Sequence, residues 1–321
     1  PETAREDLAL FLKEGPDAPP VQSKFSEMQC MTFEYEAGMC FARRGEHGKA
    51  LKRLFSMDKH FDEMVEDQFD FHYFNFRKAT LQAYVSLHKF EENIRSVNRF
   101  YSMAAIAAIR TLLDLDTDRK KPKTPEEIAA AKTSKKKKEE EAHPSKKNVD
   151  TDLDGVKLLE EITDPMKEAS RLLKTLLKTK ATSRLDVHVL AFQVYLRRSK
   201  FLLALRELKK IASIAPNSPE VLQFSVALFH AISCSQTPRA AEIDQVLTAE
   251  RNAFIGKDIT QLSAFVEPIF ASKKDSVSWI TAAAVSLYLV SPAAKDRCIQ
   301  SLLAVPAAQK PCFDEYRASF E

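Results

Sequence analysis

Between Asp67 and Leu87 apolar residues recur at helical spacing. One stripe runs Phe69, Tyr73, Phe76, Thr80, Tyr84, Leu87, and a second runs Phe71, Phe74, Leu81, Val85. Steps of three and four residues place each set on one face of an α-helix. Asp67 is positioned to cap the start of that helix, and Asp70 adds negative charge to its first turn. The alternation Phe69-Asp70-Phe71 would suit a short strand, but a strand does not account for the stripe continuing to Leu87. A helix that is apolar on two sides is sandwiched between neighbours, as in a stacked helical array. The aromatic-rich stretch "EDQFDFHYFNFRK" (66–78) therefore reads as core, with Phe69, Tyr73 and Phe76 buried, and not as a ligand-gripping aromatic site.

The array repeats. "CFARRGEHGKAL" (40–51) has the form of a tetratricopeptide hairpin: an aromatic residue (Phe41), a turn glycine (Gly45) and a small residue at the helix crossing (Ala50). "VYLRRSKFLLALRELKKIASIAP" (194–216) places Tyr195, Ala204 and Pro216 in the aromatic, small and terminating positions. "AYVSLHKFEENI" (83–94) is a weak third copy. Its Asn93 lies 43 residues after Ala50, compared with ~34 in a regular array. Small residues matter at the crossing because packed helix axes come within about 8–10 Å of each other. The expectation is an all-α protein, an α-solenoid of irregular tetratricopeptide-like helix pairs.

Composition agrees. Only 6 glycines occur in 321 residues, and sheet-rich and nucleotide-binding folds spend glycine on turns and phosphate loops. The longest apolar run, Ile280 to Val290, is too short to span a bilayer, which needs ~20 residues. The five cysteines (Cys30, Cys40, Cys234, Cys298, Cys312) contain no CxxC pair. They read as reduced packing thiols in a cytoplasmic protein with no membrane partner. Charge is uneven. Arg119 to Lys147 holds eleven Lys or Arg against five Glu, in a chain whose net charge is only +3. With almost no large apolar residue, that segment reads as an exposed, flexible insertion. It divides the chain into a helical block (1–117), the basic insertion (118–150) and a second helical block (151–321). Pro1 leads directly into a helical-looking stretch, so the chain reads as a fragment of a longer one.

Catalytic signatures are absent. The sequence contains no GxxxxGK[ST], no GxGxxG and no GxSxG. The nearest approach to an acetyl-CoA loop is Gly48-Lys49-Ala50, with Gly45 where Arg or Gln is needed. No two of the seven histidines stand four apart, so His60 and His72, near Asp67 and Asp70, do not form a helical metal pair. Adjacent acids such as Glu91-Glu92 and Glu160-Glu161 read as solvated helix faces. No catalytic and no metal-binding residue is assigned.

Five stretches carry a family resemblance. "SEMQCMTF" (26–33), "ALKRLFSMDKHF" (50–61), "EDQFDFHYFNFRKATLQAYV" (66–85), "RFYSMAAIAAI" (99–109) and "VHVLAFQVYLRRSKFLLALRELKKIASIAPNSP" (187–219) resemble the auxiliary, non-catalytic subunit of the N-terminal acetyltransferase A complex. The similarity covers most of residues 1–230, and the family also carries a lysine-rich insertion. The resemblance implies a scaffold, not an enzyme. It would wrap a catalytic N-terminal acetyltransferase subunit, shape it toward small first residues and dock it on the ribosome, near ribosomal RNA at the exit tunnel. A regulator like huntingtin-interacting protein K is a further implied partner. The other reading is a ribosome- or RNA-binding α-solenoid with no acetyltransferase partner.

The resemblance also implies inositol hexakisphosphate bound at the interface with the catalytic subunit and no cofactor held by this chain alone. Arg43, Lys52 and Arg53 match basic family positions, and Arg44 is adjacent. Ala42 and Glu46 stand where family members often carry lysine. A solvated basic helix face is the alternative. In the insertion, Lys120, Lys121, Lys123, Lys135, Lys136, Lys137, Lys138, Lys146 and Lys147 are the candidate ribosomal RNA contacts. Lysine suits phosphate neutralisation, and no aromatic is interleaved to stack on bases. A solvated linker is the alternative there.

Overall fold

The computed structural model describes residues 25–66, 77–78, 80–121, 152, 154–179, 184–235, 239–256, 261–272 and 277–304. Among these residues every regular element is helical and none is a strand. The chain divides into two compact units, Pro1–Ser183 and Arg184–Glu321.

The first unit opens with the hairpin α1 (Met31–Arg43) and α2 (His47–Glu66). The turn is a Schellman motif: Glu46 N–H donates to Phe41 C=O (3.0 Å), and Gly45 N–H donates to Ala42 C=O (2.9 Å). Gly45 sits in the left-handed region at φ +73°. Phe41 and Ala50 are buried as the repeat pattern requires. Leu51, Leu54, Met57 and Phe61 continue the inner face of α2.

After α2 come α3 (Leu81–Glu92), α4 (Ile94–Val97), α5 (Arg99–Lys120), α6 (Val156–Glu161) and α7 (Pro165–Leu176). α5 packs against α1, α2 and α7. It is alanine-rich over 104–108 because a helix enclosed on several sides needs small side chains to admit its neighbours. Asn98 caps it, its side-chain oxygen accepting from Phe100 N–H at 2.9 Å. Tyr101 lies edge-on to Phe61 with ring centroids 5.3 Å apart, and burial pushes its hydroxyl pKa up to about 12. α7 begins with Pro165 behind Asp164, whose carboxylate accepts from Met166 and Lys167 N–H.

Two contacts bring the chain on either side of the basic insertion together. Arg119 donates to the carbonyls of Leu159 and Ile162, both at 2.7 Å, closing the C-terminal end of α6. The backbones of Gly48 and Gly155 touch: a Cβ on Gly155 would lie 2.2 Å from Gly48 O. The described segments before and after the insertion both belong to the first unit, with α6 packed on α2 and α7 on α5. α5 also extends further than expected, to Lys120.

The second unit repeats the hairpin with α8 (Leu185–Arg197) and α9 (Phe201–Ile214). Lys200 N–H donates to Tyr195 C=O (2.8 Å) and Ser199 N–H to Leu196 C=O (3.0 Å), the same pair of bonds as in the first hairpin. Ser199 takes the glycine position at φ +54°. α10 (Pro219–Cys234) then faces two cores. One gathers Phe192, Ala204, Leu208, Ile211, Leu228 and Leu247 of α11 (Ala241–Phe254). The other joins Val226 to α12 (Leu262–Ser272), α13 (Val277–Val290) and α14 (Lys295–Leu303) through Val266, Ala283, Leu287 and Cys298. α13 contains the longest apolar run because three helices pack on it.

The continuous helix expected over Asp67 to Leu87 is not observed. Thr80 is non-helical, and its hydroxyl accepts from Ala83 N–H at 3.3 Å, starting α3 afresh. The described end of the stripe is also not core: Leu81 is 77% exposed and Val85 41%. Phe69, Tyr73, Phe76 and His72 lie outside the described residues. The weak third repeat is not a hairpin, since α3 runs unbroken through His88 to Glu92. Cys298 packs as expected, whereas Cys234 is exposed.

Candidate functional site

The α1–α2 turn collects the charges that sequence singled out, together with several it did not. Arg43 and Arg44 are exposed at the end of α1. Arg44 Nε lies 2.7 Å from Glu46, and Lys49 Nζ lies 2.7 Å from the other oxygen of the same carboxylate. The hydrogen bond from Lys49 holds the Glu46 carboxyl below its usual range, helped against partial burial by the nearby Arg44 charge. Lys49 also reaches toward Asp154 at 3.7 Å and lies over the Phe41 ring. His47 Nε2 is 2.8 Å from Asp118. Burial works against the Asp118 carboxylate, but hydrogen bonds with His47 and Lys121 outweigh it and lower its pKa.

The four predicted anion-site residues do not share one environment. Lys52 is half-buried, and Arg53 is only 6% exposed. The exposed cations of the turn are Arg43 and Arg44, with half-buried Lys49 beside them. Helical periodicity could not show this, because the buried position of Arg53 follows from the close α1–α2 crossing at Gly38. A Cβ on Gly38 would meet Leu54 Cδ2 at 3.0 Å and Arg53 Cβ at 3.5 Å. Of the insertion lysines, Lys120 pairs with Asp116 (2.7 Å) and Lys121 with Asp118 (3.1 Å). Lys123, Lys135, Lys136, Lys137, Lys138, Lys146 and Lys147 lie outside the described residues.

Two buried acid–histidine pairs invite a catalytic reading, and their geometry argues against it. Between α1 and α2, Glu34 accepts from Ser56 Oγ (2.9 Å) on one oxygen and meets His60 Nε2 (3.0 Å) on the other. The carboxylate is central, so the imidazole is not placed to take the serine proton, as a serine nucleophile requires. The hydrogen bond with Glu34 raises the His60 pKa despite burial, and His60 Nδ1 is 3.3 Å from Glu63. Between α8 and α9, His188 Nδ1 is 2.7 Å from Glu207. Arg206 also bonds Glu207, and Lys210 lies 3.5 Å away. Burial opposes the Glu207 charge, but His188 and Arg206 more than offset it and lower its pKa. Both pairs are polar pins inside helix hairpins.

A cleft of about 680 Å³ in the second unit is lined by Phe229, His230, Arg239, Leu247, Arg251 and Val290, among others. Arg239 there is engaged by Asp244 at 2.7 Å. Among the described residues no group of three His, Cys, Asp or Glu could hold a metal, and no helix is long and apolar enough to cross a membrane.

The family model of the N-terminal acetyltransferase A auxiliary subunit matches residues 1–139 and 116–211. The chain is 32% identical over 327 residues to the N-terminal acetyltransferase A complex auxiliary subunit NAA15 of Arabidopsis thaliana, covering 92% of this chain and 36% of that protein. It is 30% identical to the mouse N-alpha-acetyltransferase 16, NatA auxiliary subunit, covering 92% and 37%. A chain in the solved structure of Naa15/Naa10 bound to HypK-THB superposes with a TM-score of 0.62 at 30% identity, covering 78% of this chain and 33% of that one. The chain thus spans about a third of the length of these relatives. The family match crosses the α1–α2 turn, the basic insertion and the α8–α9 hairpin, the features on which the candidate site is built. This chain belongs to the family of N-terminal acetyltransferase A auxiliary subunits.

Proposed function

We propose that this chain is part of a non-catalytic scaffold subunit of a co-translational protein N-terminal acetyltransferase, holding the catalytic subunit and helping to dock it on the ribosome in the cytoplasm. The family match over residues 1–211 carries the reading. Paired helices supply a rigid frame, and the buried polar pairs are structural and not catalytic. The solved relative comes from a Naa15/Naa10 assembly bound to HypK-THB, which supports a catalytic partner and a HypK-like regulator. The test is a pull-down from cell extract with the intact assembly. A small acetyltransferase should be retained, and the purified chain alone should not acetylate peptides. Acetylation by the chain alone, or ribosome retention with no acetyltransferase, would overturn the reading, the latter in favour of a ribosome- or RNA-binding scaffold.

The α1–α2 turn extends the proposal. Arg43 and Arg44, exposed at the end of α1, would contribute to an inositol hexakisphosphate site completed by the catalytic subunit, with Lys52 behind them. Arg53 would act from inside the hairpin, as support for the turn. Calorimetry on the complex should show weaker inositol hexakisphosphate binding for Arg43→Glu. Unchanged affinity would assign the turn to solvent. The insertion lysines, on the same reading, neutralise ribosomal RNA phosphates.

A further inference from the structure

Every exposed residue from Pro165 through Lys178 is a cation: Lys167, Arg171, Lys174 and Lys178. Their spacing of four, three and four residues puts them on one face of α7 and the turn that follows it. The opposite face, with Met166, Ala169, Leu172, Leu173 and Leu176, is buried within the first unit. Arg171 is held by Glu168 and Asp58, both at 3.0 Å. Lys167, Lys174 and Lys178 have no carboxylate within ion-pair distance among the described residues.

Helix energetics does not explain this stripe. Cations near a helix C-terminus are favoured by the macrodipole, which accounts for Lys174 and Lys178. Lys167 lies in the first turn, where the same dipole disfavours it. Like charges three and four residues apart on a helix also repel one another.

We propose that this face of α7 is a docking strip for the phosphodiester backbone of single-stranded RNA. From Lys167 to Lys178 the strip runs about 16 Å along the helix axis. That length is enough to meet a few successive phosphates of one strand. A protein partner is disfavoured because the strip exposes no aromatic or aliphatic anchor of the kind that dominates protein interfaces. A membrane surface is disfavoured because the apolar face that would enter the lipid is already packed inside the protein. Three lysines and no exposed aromatic fit charge neutralisation without base reading. The strip lies outside the basic insertion, and the proposal does not depend on an acetyltransferase partner.

The experiment is fluorescence anisotropy of the full chain with a labelled oligouridine, titrated across a range of salt concentrations. Lys167→Gln, Lys174→Gln and Lys178→Gln are made singly and together. A variant with Lys135, Lys136, Lys137 and Lys138 changed to Ala serves as the comparison. Each lost phosphate contact should flatten the log–log salt slope by about 0.7, so the triple variant should lose about 2. The loss should persist when the insertion lysines are already neutralised. Circular dichroism melts verify folding, and if the triple variant does not fold, the single variants still report. An unchanged slope in the folded variants would overturn the proposal. So would loss of binding to a poly-glutamate peptide or to phosphatidylserine vesicles with RNA binding intact, which would make the strip a protein or lipid contact. Retention of the acetyltransferase in the pull-down is scored separately, so failure of the strip and failure of the scaffold reading are distinguishable.

Discussion

Gly155→Ala tests the contact that joins the two sides of the basic insertion. A Cβ at this position would lie 2.2 Å from Gly48 O, 2.5 Å from its carbonyl carbon and 3.0 Å from its Cα. All three are backbone atoms, so no side-chain rotation relieves the clash, and α6 must move off α2. Overpacking of this kind costs about 1–3 kcal/mol. Gly155 also sits at φ +66°, where an L-residue costs a further 1–2 kcal/mol or so. The sum, about 2–5 kcal/mol, is a large part of a typical domain stability of roughly 5–15 kcal/mol. Gly45→Ala is the matched control: its φ is +73°, but an added Cβ would meet nothing within 4 Å. It therefore carries the strain without the clash. Thermal melts followed by circular dichroism should place Gly155→Ala roughly 2–12 °C below Gly45→Ala, at about 2–4 °C per kcal/mol. Hydrogen exchange should report faster opening across Val156–Glu161 in Gly155→Ala only. Melting temperatures within a degree of each other would refute the argument that this backbone contact holds α6 in place.

Ser199→Gly should stabilise the protein by about 0.5–1 kcal/mol in urea unfolding, because it relieves left-handed strain at a cost in unfolded-state entropy. His60 has a raised pKa, so its contribution is complete below its unfolded value near 6.5 and is lost as pH rises through the folded value. Melting temperature should fall over that interval in wild type, and His60→Gln should flatten the fall. Glu207 has the opposite sign: its lowered pKa gives stability that is present above the unfolded value near 4.5 and lost as pH drops through the folded value. His188→Ala should weaken that acid dependence and cost about 1.5–3 kcal/mol, the range for a hydrogen bond to a charged group. Phe192→Ala should cost about 3–5 kcal/mol, since the ring is 1% exposed and lies 4.8 Å from that of Phe224.

Local chemistry explains which parts of the fold could be read from sequence. Phe41, Gly45 and Ala50 encode a turn whose bonds all form within six residues, and the same offsets recur at Tyr195, Ser199 and Ala204. The glycine itself was not diagnostic, because the hydrogen bonds around Ser199 hold a serine in the same conformation. The aromatic stripe misled where it crossed Thr80. Periodicity continued through that residue, but its hydroxyl caps α3 and ends any continuous helix. The unit boundary near Ser183 depends on α6 and α7 folding back onto α2 and α5, a long-range pairing that composition does not carry.

The sites differ in legibility for a related reason. The resemblance singles out Arg43 and Arg44 because it passes through their turn, yet it could not show that Arg53 is buried beside Gly38. Glu34 and Glu207 gave no signal at all, since a carboxylate within an amphipathic helix looks solvated until the opposing helix supplies His60 or His188. The lysines of α7 were hidden in the opposite way. Lys167, Lys174 and Lys178 are ordinary in a chain with 48 Lys and Arg. They stand out only once Met166, Ala169, Leu172 and Leu176 fix which face is turned inward, leaving no exposed position on that helix without a positive charge. A charge pattern carries functional information when burial has removed every alternative position from the surface. This is why the dense lysine run of the insertion was easy to notice, while the sparser α7 strip, with a defined face and spacing, supports the more specific proposal.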